Sequence, residues 1–235
     1  MIRAIFFDLD GTLIDMDEPK FDEIYFGSLI QHLVPYGYNP LKVKEGIYNG
    51  VAAMMMNDSG LTNEDIFWAT FNKFMGRDCK VDLPIFDEYY KTKFHVTKAA
   101  CGANPLSKKI VEFCRENFEI LVLSTNPLFP ELATNYRMSI SGLKPSDFDF
   151  VTTYENSYHC KPNPKYFIDL MNKFNLKPEE VFVVGNNNYE DSECALKCGI
   201  KSVLLKGNII YNPKATHTFD EIECEDLIDY LKTLK

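Results

Sequence analysis

The feature that most constrains this chain is a nearly unbroken apolar run, Ile2-Arg3-Ala4-Ile5-Phe6-Phe7, that stops on Asp8-Leu9-Asp10-Gly11-Thr12. A strand with one wet face alternates apolar and polar side chains, whereas a strand covered on both faces does not. The run therefore predicts an inner strand of a parallel sheet. Shorter apolar runs recur at Ile120 to Ser124, Val181 to Val184 and Ser202 to Leu205. Helical spacings lie between them: Leu106, Ile110, Phe113 and Cys114, then Phe167, Leu170, Met171 and Phe174, with Leu227, Leu231 and Leu234 marking a last amphipathic helix. Strands alternating with helices from about residue 105 onward predict βαβ units and an α/β fold with a parallel sheet.

Residues 16–100 break that alternation. Phe21, Ile24, Tyr25 and Leu29 fall on one helix face; Ile66, Trp68, Ala69 and Phe74 suggest another helix, opened by Thr62 or Asn63 as a cap. With no convincing buried strand there, the expected organisation is a core of residues 1–15 and 101–235 carrying a helical insert, 16–100. Cys194 and Cys198 lie four apart on a helical pattern, but two thiols do not close a metal site, and they read as small core residues.

Charge narrows the partners. Acidic residues outnumber basic ones 34 to 25, for a formal charge of -9, which argues against nucleic acid and against anionic membrane surfaces. No apolar stretch is long enough to span a bilayer and no targeting segment is visible. The seven cysteines form no Cys-x-x-Cys pair and read as reduced thiols, so the expected location is cytoplasmic.

The chemistry-bearing residues stand where apolar runs end. Side chains two apart on a strand share a face, so Asp8 and Asp10 can aim at one point at the carboxyl end of a parallel strand, where such sheets bind ligands. Neighbouring carboxylates repel, which leaves one protonated beside an ionised partner or calls for a divalent cation. A solvated acidic turn is the plain alternative, weakened here by the buried strand in front. Thr125 and Asn126 end another run with groups suited to phosphoryl oxygens, or else cap a helix before Pro127. Lys161, in Lys161-Pro162-Asn163-Pro164, can offset the charge of a phosphate and of Asp8, or else sits exposed in a Pro-rich turn. Gly185 leads to Asn186, Glu190 and Asp191, oxygen donors of the kind magnesium prefers.

Together these four segments resemble the haloacid dehalogenase superfamily, in particular its phosphatases with a helical cap inserted after the first motif. Asp8-Leu9-Asp10-Gly11-Thr12 matches the Asp-x-Asp-Gly-Thr signature, and Thr125-Asn126 the strand-end second motif. Lys161 to Phe167 matches Lys-Pro-x-Pro-x-x-Phe, and Gly185, Asp191, Ala195 and Gly199 align with the last motif. The resemblance spans essentially the whole chain in the family's order. It implies a Rossmann-like parallel core, a small phosphorylated metabolite as substrate and Mg2+ as cofactor. It further implies Asp8 as nucleophile through an aspartyl-phosphate, Asp10 as acid and base, and Thr125, Asn126 and Lys161 as phosphate-binding residues. Asp8, Asp10, Asn186 and Asp191 would be the metal ligands.

Asn186 departs from the pattern, standing where the family has an acid; Glu190 or Asp191 could supply the missing charge. A phosphomutase, a haloacid dehalogenase and a catalytically weak binding protein are the rival readings, with Asp10 the mark that favours phosphoryl chemistry over dehalogenation. Substrate identity and oligomeric state are not written in these motifs.

Overall fold

The computed structural model describes residues 1–234; Lys235, the last residue of the expected core, lies outside them. β1 (Ala4–Phe7) is followed by β2 (Ile14–Met16), then by α1 (Glu18–Leu33), α2 (Pro40–Met55), α3 (Asn63–Met75) and α4 (Leu83–Thr92). β3 (Cys101–Ala103) returns antiparallel to β2, pairing Ile14 with Ala103 and Met16 with Cys101. Both chain crossings into and out of the helical segment thus run side by side in one short ribbon, a pairing that sequence pattern does not announce. Then come α5 (Ser107–Asn117), β4 (Ile120–Leu123), α6 (Glu131–Ile140), β5 (Phe150–Val151), α7 (Lys165–Phe174) and β6 (Val181–Gly185). A π-helical turn over Asn188–Glu193, α8 (Cys194–Lys197), β7 (Lys201–Leu205), β8 (Glu221–Ile222) and α9 (Leu227–Lys232) complete the order.

Six strands form one parallel sheet in the order β5-β4-β1-β6-β7-β8. β1 lies between β4 and β6, with Ala4 opposite Ile120 on one side and Val181 on the other. Its apolar run is explained by the two faces it serves. Ile5 and Phe7 pack in the cluster built with Ile110 and Cys114 of α5 and Leu227 and Leu231 of α9. Ala4 and Phe6 point the other way, into the cluster formed with Phe167 and Leu170 of α7 and Cys194 of α8. Helices on both faces leave the carboxyl ends of β1, β4 and β6 as the open edge where chemistry can occur.

The helical segment has its own apolar cluster, in which Phe21, Tyr25 and Leu29 of α1 meet Ile47, Trp68, Phe71 and Phe86. Phe71, not Phe74, is the buried partner of Trp68 on α3, since Phe74 is 36% exposed. Asp17, Asn39 and Thr62 cap α1, α2 and α3 through side-chain oxygens that accept main-chain N–H groups. Ala133 of α6 joins the same cluster, so the helices sit directly over the segment that follows β4.

Candidate active site

Asp8 leaves the end of β1, its N–H held by the Val184 carbonyl at 2.9 Å. Lys161, buried to 1% exposure, donates from Nζ to Asp8 Oδ1 at 2.7 Å and to Asp191 Oδ1 at 2.6 Å. The second oxygen of Asp191 accepts the N–H groups of Asn186 and Asn187, at 3.1 and 2.9 Å. Asp191, expected among the metal ligands, therefore has both oxygens engaged. The carboxylate tethers the ammonium and pins the turn after β6. This packing needs Gly185, because a Cβ there would lie 2.3 Å from Asp191 Oδ2. The π-helical turn, opened by Asn187 accepting from Tyr189 and Glu190, delivers Asp191 to this place by fitting one more residue per turn than an α-helix does.

Asp10 pairs with Arg137, a residue sequence reasoning did not single out. Arg137 is 2% exposed and carries its guanidinium 4.6 Å from the Phe129 ring centroid. The signal was available: Ala133, Thr134, Arg137 and Met138 form the buried stripe of α6, and an arginine on such a stripe needs a carboxylate. The other Asp10 oxygen, Oδ1, is buried without a hydrogen-bond partner.

The remaining expected residues converge on the same cavity. Asp8, Asp10, Thr125, Asn126, Lys161, Asn186, Glu190 and Asp191 all line it. Thr125 is fixed through its carbonyl, which accepts the Thr152 and Tyr166 hydroxyls at 2.6 and 2.9 Å. Asn126 donates its amide to the Lys161 carbonyl at 3.1 Å and to Glu190 at 2.9 Å. Those bonds tie the two loops together, so Asn126 positions Lys161 and Glu190 while its donor is already committed. Asn186 donates to the Asn208 carbonyl at 2.8 Å, which turns its amide oxygen away from that carbonyl. Its close seat against Gly11 is open only to glycine, since a Cβ there would meet the amide nitrogen at 2.0 Å.

Electrostatics define what the cavity can accept. Six carboxylates line it, those of Asp8, Asp10, Glu18, Asp22, Glu190 and Asp191, against two cations, Arg137 and Lys161. Burial pushes the Asp8 carboxyl up to about 7, helped by Asp191 and Asp10 and opposed by Lys161. Burial likewise raises Asp10, against the lowering pull of Arg137 and Lys161. For Lys161, burial works against the charged form, but Asp191 and Asp8 outweigh it and hold the amine protonated. Among the described residues no group of three or more acidic, histidine or cysteine side chains forms a self-contained metal site. The lining offers hard oxygens: the Asp8 carboxylate, held at Oδ2 only by a 3.5 Å contact from Thr12, the Asp10 carboxylate with its unpartnered Oδ1, Glu190 and the Asn186 amide. Such a set fits a hard divalent cation, which the surplus of carboxylates favours.

Fold and site together define an α/β protein with a carboxylate-rich cavity at the carboxyl end of its central parallel strands. Residues 2–199 match the haloacid dehalogenase-like hydrolase family, and the chain belongs to it. Among curated relatives, the glyceraldehyde 3-phosphate phosphatase of Pyrococcus furiosus is 24% identical, over 87% of this chain and 81% of its own. The phosphoglycolate phosphatase of Photorhabdus laumondii subsp. laumondii is 28% identical, over 79% of this chain and 73% of its own. A 2-haloacid dehalogenase from Pseudomonas syringae pv. Tomato DC3000 shares the fold along the full length of both chains, with a TM-score of 0.66 at 19% identity. Among the described residues no helix is long and apolar enough to cross a membrane.

Proposed function

We propose that this chain is a magnesium-dependent phosphatase that hydrolyses a small phosphate monoester through an aspartyl-phosphate on Asp8, with the helices of residues 16–100 acting as a cap over the site. The observation that carries this reading is the cavity's charge. A phosphate dianion entering among six carboxylates and two cations needs added positive charge. Asp8, the Asp10 carbonyl and Asn186 would hold magnesium, which supplies that charge and lets two anions meet.

The chain's own groups divide the remaining work. The Asp8 carboxylate, oriented by Lys161, attacks phosphorus, and the bond from phosphorus to the ester oxygen breaks. Asp10 gives that departing oxygen its proton, and the upward shift from burial lets it carry one. Arg137 holds the carboxyl loosely while Asp10 carries that proton and pairs with it fully once the proton has left, which keeps the ionised Asp10 oriented. Asp10, now ionised, takes a proton from water as that water attacks phosphorus. The bond to Asp8 breaks, releasing inorganic phosphate and restoring the carboxylate. Lys161 stays protonated throughout and holds a phosphoryl oxygen together with Thr125. The names of the phosphatase relatives support the same reading.

The test is release of inorganic phosphate from a panel of phosphorylated metabolites with and without magnesium, alongside halide release from 2-chloropropionate. Asp8→Asn, nearly isosteric and a poor nucleophile, is expected to lower turnover at least about a thousandfold with unchanged unfolding. Near-normal turnover in that variant would overturn the covalent route.

A further inference from the structure

Beside the phosphoryl site lies a second cavity, of about 250 Å³, enclosed by α1 to α4 and the Leu128–Pro130 segment. Tyr25, Phe26, Trp68, Phe86, Tyr90 and Phe129 give it aromatic walls. No basic side chain lines it, and its charged groups are Asp22 and Asp87. Close-packed interiors leave few voids much larger than a water molecule. A space this size among rings that could have closed on one another is better explained by an occupant than by poor packing.

Its position says what the occupant is attached to. Asp22, Val51, Leu128 and Phe129 line this cavity and the catalytic one alike. Phe129 carries the Arg137 guanidinium on its face, and Arg137 holds Asp10, the group assigned to the leaving oxygen. A substrate whose ester oxygen lies at Asp10 therefore has the aromatic cavity at its organic end. Resting on the phosphatase reading above, we propose that this cavity binds an uncharged, ring-bearing alcohol portion of the substrate, and so selects such esters over small polyol or carboxylate phosphates. Size agrees, since a cavity of about 150 Å³ takes a benzene ring and this one has room for a substituted ring. Charge agrees as well: two acids in a lining that holds no basic side chain disfavour a second anionic group on the substrate.

Ethyl phosphate and 2-phenylethyl phosphate have leaving groups of similar acidity, so the ratio of their kcat/KM values reads the fit of the ring rather than the chemistry. We expect the phenylethyl ester to be favoured by about 30-fold or more, the range given by burying one aromatic side chain, and phosphoglycolate to be poorer than either. Leu83→Phe or Ile47→Phe, at positions that line this cavity and not the catalytic one, should bring the ratio to within threefold of unity. A wild-type ratio near one with measurable hydrolysis of both esters would overturn the ring-binding site and leave the phosphatase reading standing. If neither ester is hydrolysed, the metabolite panel decides the phosphatase reading, and binding decides the cavity by itself. Trp68 is the only tryptophan and lines the cavity, so 4-bromobenzyl alcohol should quench its emission saturably and be displaced by 2-phenylethanol. Unsaturable quenching, equal in wild type and Leu83→Phe, would overturn the assignment.

Discussion

Asn186 is where the sequence departs from the motif it otherwise resembles, and its surroundings make the departure testable. Its amide donates to the Asn208 carbonyl, and the side chain lines the cavity that Asp8 also lines. Asn186→Asp would exchange that donor for a second acceptor and add a seventh carboxylate to the cavity. Without divalent cation the variant should lose about 1–3 kcal/mol in urea unfolding, the penalty for a buried polar group stripped of its partner. Magnesium should then raise its Tm by more than it raises that of the wild type, because ligand binding to the folded state stabilises it in proportion to affinity. Equal magnesium shifts in the two proteins would remove Asn186 from the metal site. Asp8 and Thr125 stand out as candidates in the sequence because each follows an apolar run at a strand terminus, and Lys161 through the Lys-Pro pattern around it. What Asp191 and Asn126 do was not legible, since spacing reveals that an oxygen or amide is near and not which neighbour has already taken its hydrogen bonds. Arg137 escaped because its partner Asp10 lies 127 residues away in the chain.

The strands most readable in sequence are those with both faces covered, β1, β4, β6 and β7, while β5 and β8 hold two residues each and show no period of their own. β5 keeps its place partly through Asp149, immediately before it. The Asp149 carboxylate accepts the Leu121 N–H at 2.8 Å and pairs with both terminal nitrogens of Arg115 on α5, coupling the edge strand to β4 and to the helix above it. Burial alone would raise its pKa, but the Arg115 and Leu121 hydrogen bonds outweigh this and hold it below the ordinary carboxylate value. A carboxyl depressed in the folded state contributes stability above its unfolded pKa of about 3.9, and that contribution is lost as pH falls through the lower folded value. Asp149→Asn is therefore expected to cost about 1–2 kcal/mol at pH 7, in line with hydrogen bonds to a charged group partly open to solvent. The difference from wild type should shrink below about pH 4. Urea midpoints for both proteins at pH 7 and pH 3 measure it, and a difference that does not change with pH would assign the effect to packing.

Across the whole molecule, the parallel sheet and the helical segment were foreseeable because covered strands and amphipathic helices carry different periods. How that segment seats on the core was not, because the contacts join residues far apart in the chain, and the polar ones among them are single residues without a pattern. Asn63, fully buried at the start of α3, is the chief of these. Its N–H donates to the Ser157 carbonyl at 2.8 Å, its amide to the Pro127 carbonyl and to Cys160 Sγ, and its oxygen accepts from Asn57. Pro127 follows Thr125 and Asn126, and Cys160 precedes Lys161, so one side chain of the helical segment touches both loops that present phosphate-binding candidates. Near it on the surface, Asp58 pairs with Lys165 and His159, but Asp58 and Lys165 are more than half exposed. Exposed ion pairs contribute roughly 0–1 kcal/mol, whereas a buried polar group deprived of partners costs about 1–3 kcal/mol. Asn63→Ala should thus destabilise the protein clearly more than Asp58→Ala. It should also reduce kcat/KM for a phosphate ester, since Lys161 and Asn126 lose a shared support, while Asp58→Ala should leave that constant within about twofold. Urea unfolding and steady-state kinetics on the two variants decide the point. If Asp58→Ala proved the more damaging, the surface pairs would be what holds the helices to the core, and the buried asparagine would be a local matter of α3.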